Sequence, residues 1–372
     1  MNEFLQEILF QPQALLATFL NIRDHYQSEF ERLKDLFKER NISRIIFSGM
    51  GSSYFSSYVP YYLLNQNGLI TEMREAGEFL LNSFPQKENN YFKETAVILI
   101  SQSGESGEIV QLLKKIKSLK IPPFTIGITN SPESTLALET NQTFVTKAGV
   151  EKSVTSKTYT STLLLLYILA KNILGEFFSH SNNFSEVEVL IEAVKNILNN
   201  FEKSDNFIDK MLKSFGEVKN CLIILARGPS LSTAYQAALN FKEIVKISSE
   251  ASPCSTFNHG GIESLNKNSK LIVISSNENN FYFNLNFIKK MLNNWDCGKI
   301  LHITNRELYG TSDYSLLSEN PKFISFKHEI KNPFLSPIIE IVILQLFFYK
   351  IAEKRKIIPG KFNYTQKITR EI

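Results

Sequence analysis

The sequence predicts an α/β fold: two tandem doubly wound domains, each a parallel sheet flanked by helices. Three observations carry this expectation. Short apolar runs alternate with stretches of helical spacing, the pattern of βαβ units. The stretch Ile98-Leu-Ile-Ser-Gln-Ser-Gly-Glu-Ser-Gly-Glu108 reads as strand, hydroxyl-rich loop and helix start. The second half of the chain then repeats the first in the same order.

Composition bounds the function. A length of 372 residues exceeds one ordinary core and suggests two domains. The 41 basic and 37 acidic residues nearly cancel, which excludes a nucleic-acid binder that works by bulk charge. No stretch reaches the roughly 18 uninterrupted apolar residues of a membrane span. The nearest, residues 338–349, carries Glu340 and Gln345. The start, Met-Asn-Glu, lacks a signal pattern, and Cys221, Cys254 and Cys297 are widely spaced with no CxxC. A reduced, cytoplasmic protein is expected, with no metal and no cofactor.

Taken in order, residues 1–40 read as an N-terminal helical segment broken at Gln11-Pro12. Strands are predicted at 42–47, 69–74, 96–100, 124–129 and 144–147, with a helix over about 54–65 after the first glycine loop. Residues 160–174 form a strongly apolar helix, and the polar, Asn-rich stretch that follows holds the domain boundary. The expected domains are 41–200 and 201–355, with a tail over 356–372 closing over a site. In the second half, strands at 221–225, 270–274, 300–304 and 322–326 accompany helices at 231–245 and 337–354. The turn Ala226-Arg-Gly-Pro-Ser230 answers Gly49-Met-Gly-Ser-Ser53, but 275–279 has no counterpart of Ser101-Gln-Ser-Gly-Glu-Ser106.

That hexapeptide is the candidate anion loop. A helix N-terminus offers unpaired N–H groups and the positive end of the dipole. Ser101, Ser103 and Ser106 add hydroxyls, Gln102 an amide, and Gly104 allows close backbone approach. The plainer reading is a serine-rich turn that merely caps a helix. Likewise Glu243 beside Lys242 reads by itself as a solvated pair, His259 as one more structural histidine like His25, His180, His302 and His328, and Lys367 as a solvated tail lysine.

Five motifs in order change that weighting: Gly49-Met-Gly-Ser-Ser-Tyr54, Ser101-Gln-Ser-Gly-Glu-Ser106, Gly149-Val-Glu-Lys-Ser-Val-Thr-Ser156, Ala238-Leu-Asn-Phe-Lys-Glu243 and Phe257-Asn-His-Gly260. Across nearly the whole chain, from Phe4 to Lys367-Ile-Thr369, the sequence resembles the sugar isomerase (SIS) family, most closely the isomerase half of the glucosamine-6-phosphate synthases. The resemblance implies two tandem SIS domains of flavodoxin-like winding and a sugar-phosphate substrate. It assigns the phosphate to Ser53, Ser101, Gln102, Ser103 and Ser106, with Gly51, Ser156 and Asn240 as further substrate contacts. It makes Glu243 the base that moves a proton between C1 and C2, and His259 the group that opens the ring. Lys367 becomes the lysine that forms a Schiff base with a ketose. In the relatives that histidine reaches the neighbouring subunit's site, which implies a homodimer.

Two departures bear on the reaction. Asn240 stands where the synthases carry a lysine three residues before the glutamate, and an amide takes up no proton near neutrality. Gly260-Gly261 replaces a usual Gly-Pro. The chain also begins where the isomerase half begins, so no glutaminase domain is expected. The expected function is a stand-alone phosphosugar aldose–ketose isomerase or deaminase. A deglycase cleaving a phosphorylated fructosamine is the alternative, and a non-catalytic sugar-phosphate sensor the third reading.

Overall fold

The computed structural model describes residues 2–86, 90–179, 182–204, 206–295, 297–308, 317–364 and 367. It divides into two compact units, Phe10–Ile191 with Phe362–Ile372, and Met1–Leu9 with Glu192–Lys361.

The first of these units is built on β1 (Arg44–Gly49), β2 (Ile70–Glu75), β3 (Thr95–Ile100), β4 (Phe124–Thr129) and β5 (Gln142–Val145), all parallel, in the order β2-β1-β3-β4-β5. β3 and β4 are buried at every position, which is why they read as unbroken apolar or β-branched runs. The helix Lys157–Ile173 is buried everywhere except Lys171 and packs against the helix Gln11–His25. The Thr160 hydroxyl donates to the Gln11 side chain at 3.0 Å across that contact.

The second unit repeats the plan. Its strands β6 (Cys221–Ala226), β7 (Ser248–Pro253), β8 (Lys270–Ser275), β9 (Lys299–Thr304) and β10 (Phe323–Lys327) run parallel in the order β7-β6-β8-β9-β10. The helix Ser336–Lys354 closes it, buried along most of its length, and the N-terminal helix Glu3–Leu9 packs here.

The fold class is as the sequence predicts, while several bounds differ for local reasons. β5 ends at Val145 and not at 147, because Lys147 adopts a left-handed φ of 57° that no strand continues through. The helix expected from about 54 starts at Gly51 and is divided at Ser57 into Gly51–Ser56 and Tyr58–Gln66. β7 is absent from the sequence expectation. Its residues, Ser-Ser-Glu-Ala-Ser-Pro, are polar, and it is an edge strand that ends on a proline.

Past the ends of β6 and β8, hydroxyls gather on one buried carboxylate. Glu340, fully buried, accepts from the Ser230 hydroxyl at 2.9 Å and the Thr233 hydroxyl at 2.6 Å. Ser276 also bonds to it, and the Ser276 hydroxyl pairs with the His328 ring at 2.8 Å. Burial pushes this carboxyl above its usual range, and the three hydroxyls offset that only in part. A raised carboxyl holds its proton to higher pH in the fold than in the unfolded chain, so its contribution is complete below the unfolded value and is lost as pH rises through the raised one. Glu340→Gln should therefore gain on the wild type in melting temperature as pH is raised from about 5 to about 8. Thermal melts in which the gap stays constant would refute this.

Candidate functional site

The sheet order places the ends of β1 and β3 side by side, with Gly49 opposite Ile100. The two candidate loops leave from this point. After β1, Met50 is extended and the chain turns at Gly51 into the short helix that carries Ser53. The Ser56 hydroxyl is spent on the Ser53 carbonyl at 2.7 Å, a capping role.

After β3 the loop 101–106 is held from behind. The Thr129 hydroxyl and the Asn130 amide both donate to the Gln102 carbonyl, at 3.2 and 3.0 Å, and the Leu136 amide donates to the Gly104 carbonyl at 3.1 Å. Glu105 turns its carboxylate away from the loop, accepting from the Thr135 amide at 2.6 Å and the Thr135 hydroxyl at 3.0 Å. Within the loop, Ser101 Oγ accepts from the Gly104 amide at 3.1 Å, and Ser103 Oγ from the Glu105 amide at 3.2 Å.

Ser106 decides between cap and anion loop. It is the N-cap of the helix Gly107–Lys117, yet its hydroxyl does not cap. It lies 3.0 Å from Ser101 Oγ instead. The first-turn amides are thus left without the side-chain acceptor that a serine N-cap ordinarily supplies. An anion placed there meets those amides together with the hydroxyls of Ser101, Ser103 and Ser106.

A further loop of the same unit centres on Glu151, whose side chain is fully buried. Its Oε1 accepts from the Ser156 amide at 2.9 Å, the Ser156 hydroxyl at 3.2 Å and the Thr158 amide at 3.1 Å. Its Oε2 accepts from the Thr158 hydroxyl at 2.7 Å and from Lys367 Nζ at 2.6 Å. Burial alone would raise this carboxyl, but the Lys367 charge and the donors hold it below its usual value. The structure so brings Ser156 and Lys367 onto one carboxylate. Glu151 is the residue the sequence reading passes over: it sits inside a quoted motif, but burial and five donors are not written in a lone glutamate.

In the other unit, Asn240 and Glu243 lie three residues apart, on one face of the helix Leu231–Val245. Asn240 is fully buried and Glu243 half-buried, while Lys242 is exposed. His259 is exposed, beyond β7 at the end of the helix Cys254–Asn258. A Cβ on Gly261 would come within 2.3 Å of the Phe257 ring, so this local geometry favours glycine there.

Among the other histidines, His25 is exposed, and burial pushes His302 and His328 down to about 3, so both stay neutral. His180 and residues 368–372 lie outside the described residues. Among the described residues, no group of three or more His, Cys, Asp and Glu is placed to hold a metal ion, and no helix is long and apolar enough to cross a membrane.

Known proteins resemble this chain in sequence and in fold. The model of the SIS domain family matches residues 38–172. The glutamine–fructose-6-phosphate aminotransferase [isomerizing] of Wigglesworthia glossinidia brevipalpis is 29% identical over 362 residues, 95% of this chain and 56% of that protein. The chain thus spans little more than half the length of the curated relatives it matches. Among solved structures, the C-terminal domain of glucosamine-fructose-6-phosphate aminotransferase from Francisella tularensis aligns with a TM-score of 0.77 at 24% identity, covering 96% of both chains. Tagatose-6-phosphate ketose/aldose isomerase from Escherichia coli aligns with a TM-score of 0.77 at 16% identity, over 96% of this chain and 95% of that one. Both likenesses are of fold.

The loop's shape depends on Gly104, whose φ of 68° is left-handed and whose Cβ would lie 2.0 Å from Ser134 Oγ. Gly104→Ala should lower stability by at least about 1 kcal/mol through strain alone, before the collision is counted. An unchanged denaturation midpoint would show the loop to be less constrained than this.

Proposed function

Because residues 38–172 belong to the SIS domain family, we propose that the chain is an aldose–ketose isomerase or deaminase acting on a hexose or amino-sugar 6-phosphate. The observation that carries this reading is the uncapped helix start at Ser106, ringed by the hydroxyls of Ser101 and Ser103. A phosphate dianion satisfies those amides and hydroxyls together, with Gln102 and Ser53 as further donors.

The remaining roles rest on the resemblance carried by the motifs at 238–243 and 257–260. Isomerisation needs one group to move a carbon-bound proton between C1 and C2, and Glu243 is the carboxylate for it. His259 trades a proton with the ring oxygen as the sugar opens. Gly51 and Ser156 are further substrate contacts, and the working form is a homodimer in which His259 serves the neighbouring subunit's site.

One observation favours the second reading, a deglycase for phosphorylated fructosamines. Asn240, on the face of Glu243 and fully buried, carries no proton to give or take near neutrality. Cleavage to a sugar phosphate and an amine asks for none at that position.

A mass-spectrometric screen against hexose 6-phosphates, hexosamine 6-phosphates and phosphofructosamines decides the class. Turnover of one phosphorylated class is expected, and equal turnover of unphosphorylated sugar would defeat the phosphate grip. Glu243→Gln should keep sugar-phosphate binding and lose roughly 10²–10⁴-fold in turnover; full activity there moves the base elsewhere. Mixed Glu243→Gln and His259→Ala subunits should regain activity on exchange, whereas no recovery after demonstrated exchange counts against a shared site.

A further inference from the structure

We propose that Gln236 is a substrate-contacting residue that selects a hydroxyl, and not an ammonium, beside the carbons between which Glu243 moves a proton. The inference rests on the reading of Glu243 as that base. Gln236 lies on the helix Leu231–Val245 and is fully buried. Among the described residues, neither its Oε1 nor its Nε2 has a hydrogen-bond partner. Buried amides are almost always paired, and an unpaired one lowers the stability of the fold that carries it. Gln11, buried to the same extent in the other unit, accepts from the Thr160 hydroxyl at 3.0 Å. Gln236 therefore holds an acceptor and a pair of donors for a group that the described residues do not supply.

Its place on the helix says which group. Positions 236, 240 and 243 follow at i, i+4 and i+7, so Gln236, Asn240 and Glu243 line one face. Glu243 is the only acidic residue of this helix. A sugar hydroxyl both donates and accepts, so it answers Oε1 and Nε2 together. An ammonium only donates. It would leave Nε2 unmet and, beside two neutral amides, would draw its counter-charge from Glu243. That pairing would occupy the carboxylate that has to accept a carbon-bound proton. The face is thus suited to a hexose 6-phosphate in preference to its amino-sugar counterpart.

The test has two arms. In the first, the unliganded wild type and Gln236→Met are compared in thermal melts. The variant should melt higher, because an apolar chain of similar length replaces a buried amide with nothing to bond. A lower melting temperature would mean that Gln236 already has a partner within the protein, and overturns the proposal. In the second arm, binding of glucose 6-phosphate and glucosamine 6-phosphate is measured by calorimetry at neutral pH. The wild type should prefer glucose 6-phosphate at least about tenfold, the effect of one hydrogen bond whose loss strands a buried group. Gln236→Met should lose most of that preference, and Gln236→Glu should move it toward glucosamine 6-phosphate. Equal affinities in the wild type, or a preference unchanged in both variants, overturn the proposal. Should neither sugar phosphate bind the wild type, the isomerase reading fails and hydroxyl selection fails with it, whereas the melts still separate an unpaired Gln236 from a paired one.

Discussion

The candidate phosphate site depends on one constraint of sheet topology. In the order β2-β1-β3-β4-β5 the chain leaves β1 toward one edge and β3 toward the other. Right-handed crossovers then carry the following helices to opposite faces, and the ends of the two strands stay uncovered. Gly49 and Ile100 are in register, so the Ser53 turn and the 101–106 loop begin at the same height. Residues 129–136 supply the backing that keeps the second loop open.

Two buried glutamates show how environment and not residue type sets chemistry. Glu151 and Glu340 are both enclosed, and both accept hydrogen bonds from hydroxyls. Desolvation raises both. Only Glu151 has a cation at 2.6 Å and backbone amides of a helix start, and its carboxyl is held down. Glu340 meets the hydroxyls of Ser230, Thr233 and Ser276, which offset its desolvation only in part, and its carboxyl is held up.

Much of this was legible in the sequence where local pattern and burial coincide. β3, β4, β6 and β8 are central strands, and their continuous apolar runs locate them to within a residue or so. The 101–106 loop was legible as well, because serine and glycine after such a run have few other uses. β7 was not, since an edge strand of Ser248, Ser249 and Glu250 has no periodicity to read. Nor were Glu151 and Glu340: their burial is created by residues far away in the chain, Lys367 for one and Ser230 for the other. Ser106 shows the intermediate case, where the sequence places a cap and only the rotamer reveals that it does not cap.

The plug at Glu340 gives the two units different thermodynamic characters. At the strand ends of the β6–β10 sheet, Ser230, Thr233 and Ser276 find an acceptor within their own chain. On the proposed reading, the loop hydroxyls of the β1–β5 sheet take an acceptor that arrives from solution. A ligand that binds only the folded form adds about 2.7 kcal/mol of stability at a hundredfold excess over its dissociation constant. On the proposed reading the phosphate's share of that gain falls on the open loop, while the strand ends of the other sheet carry their acceptor with them.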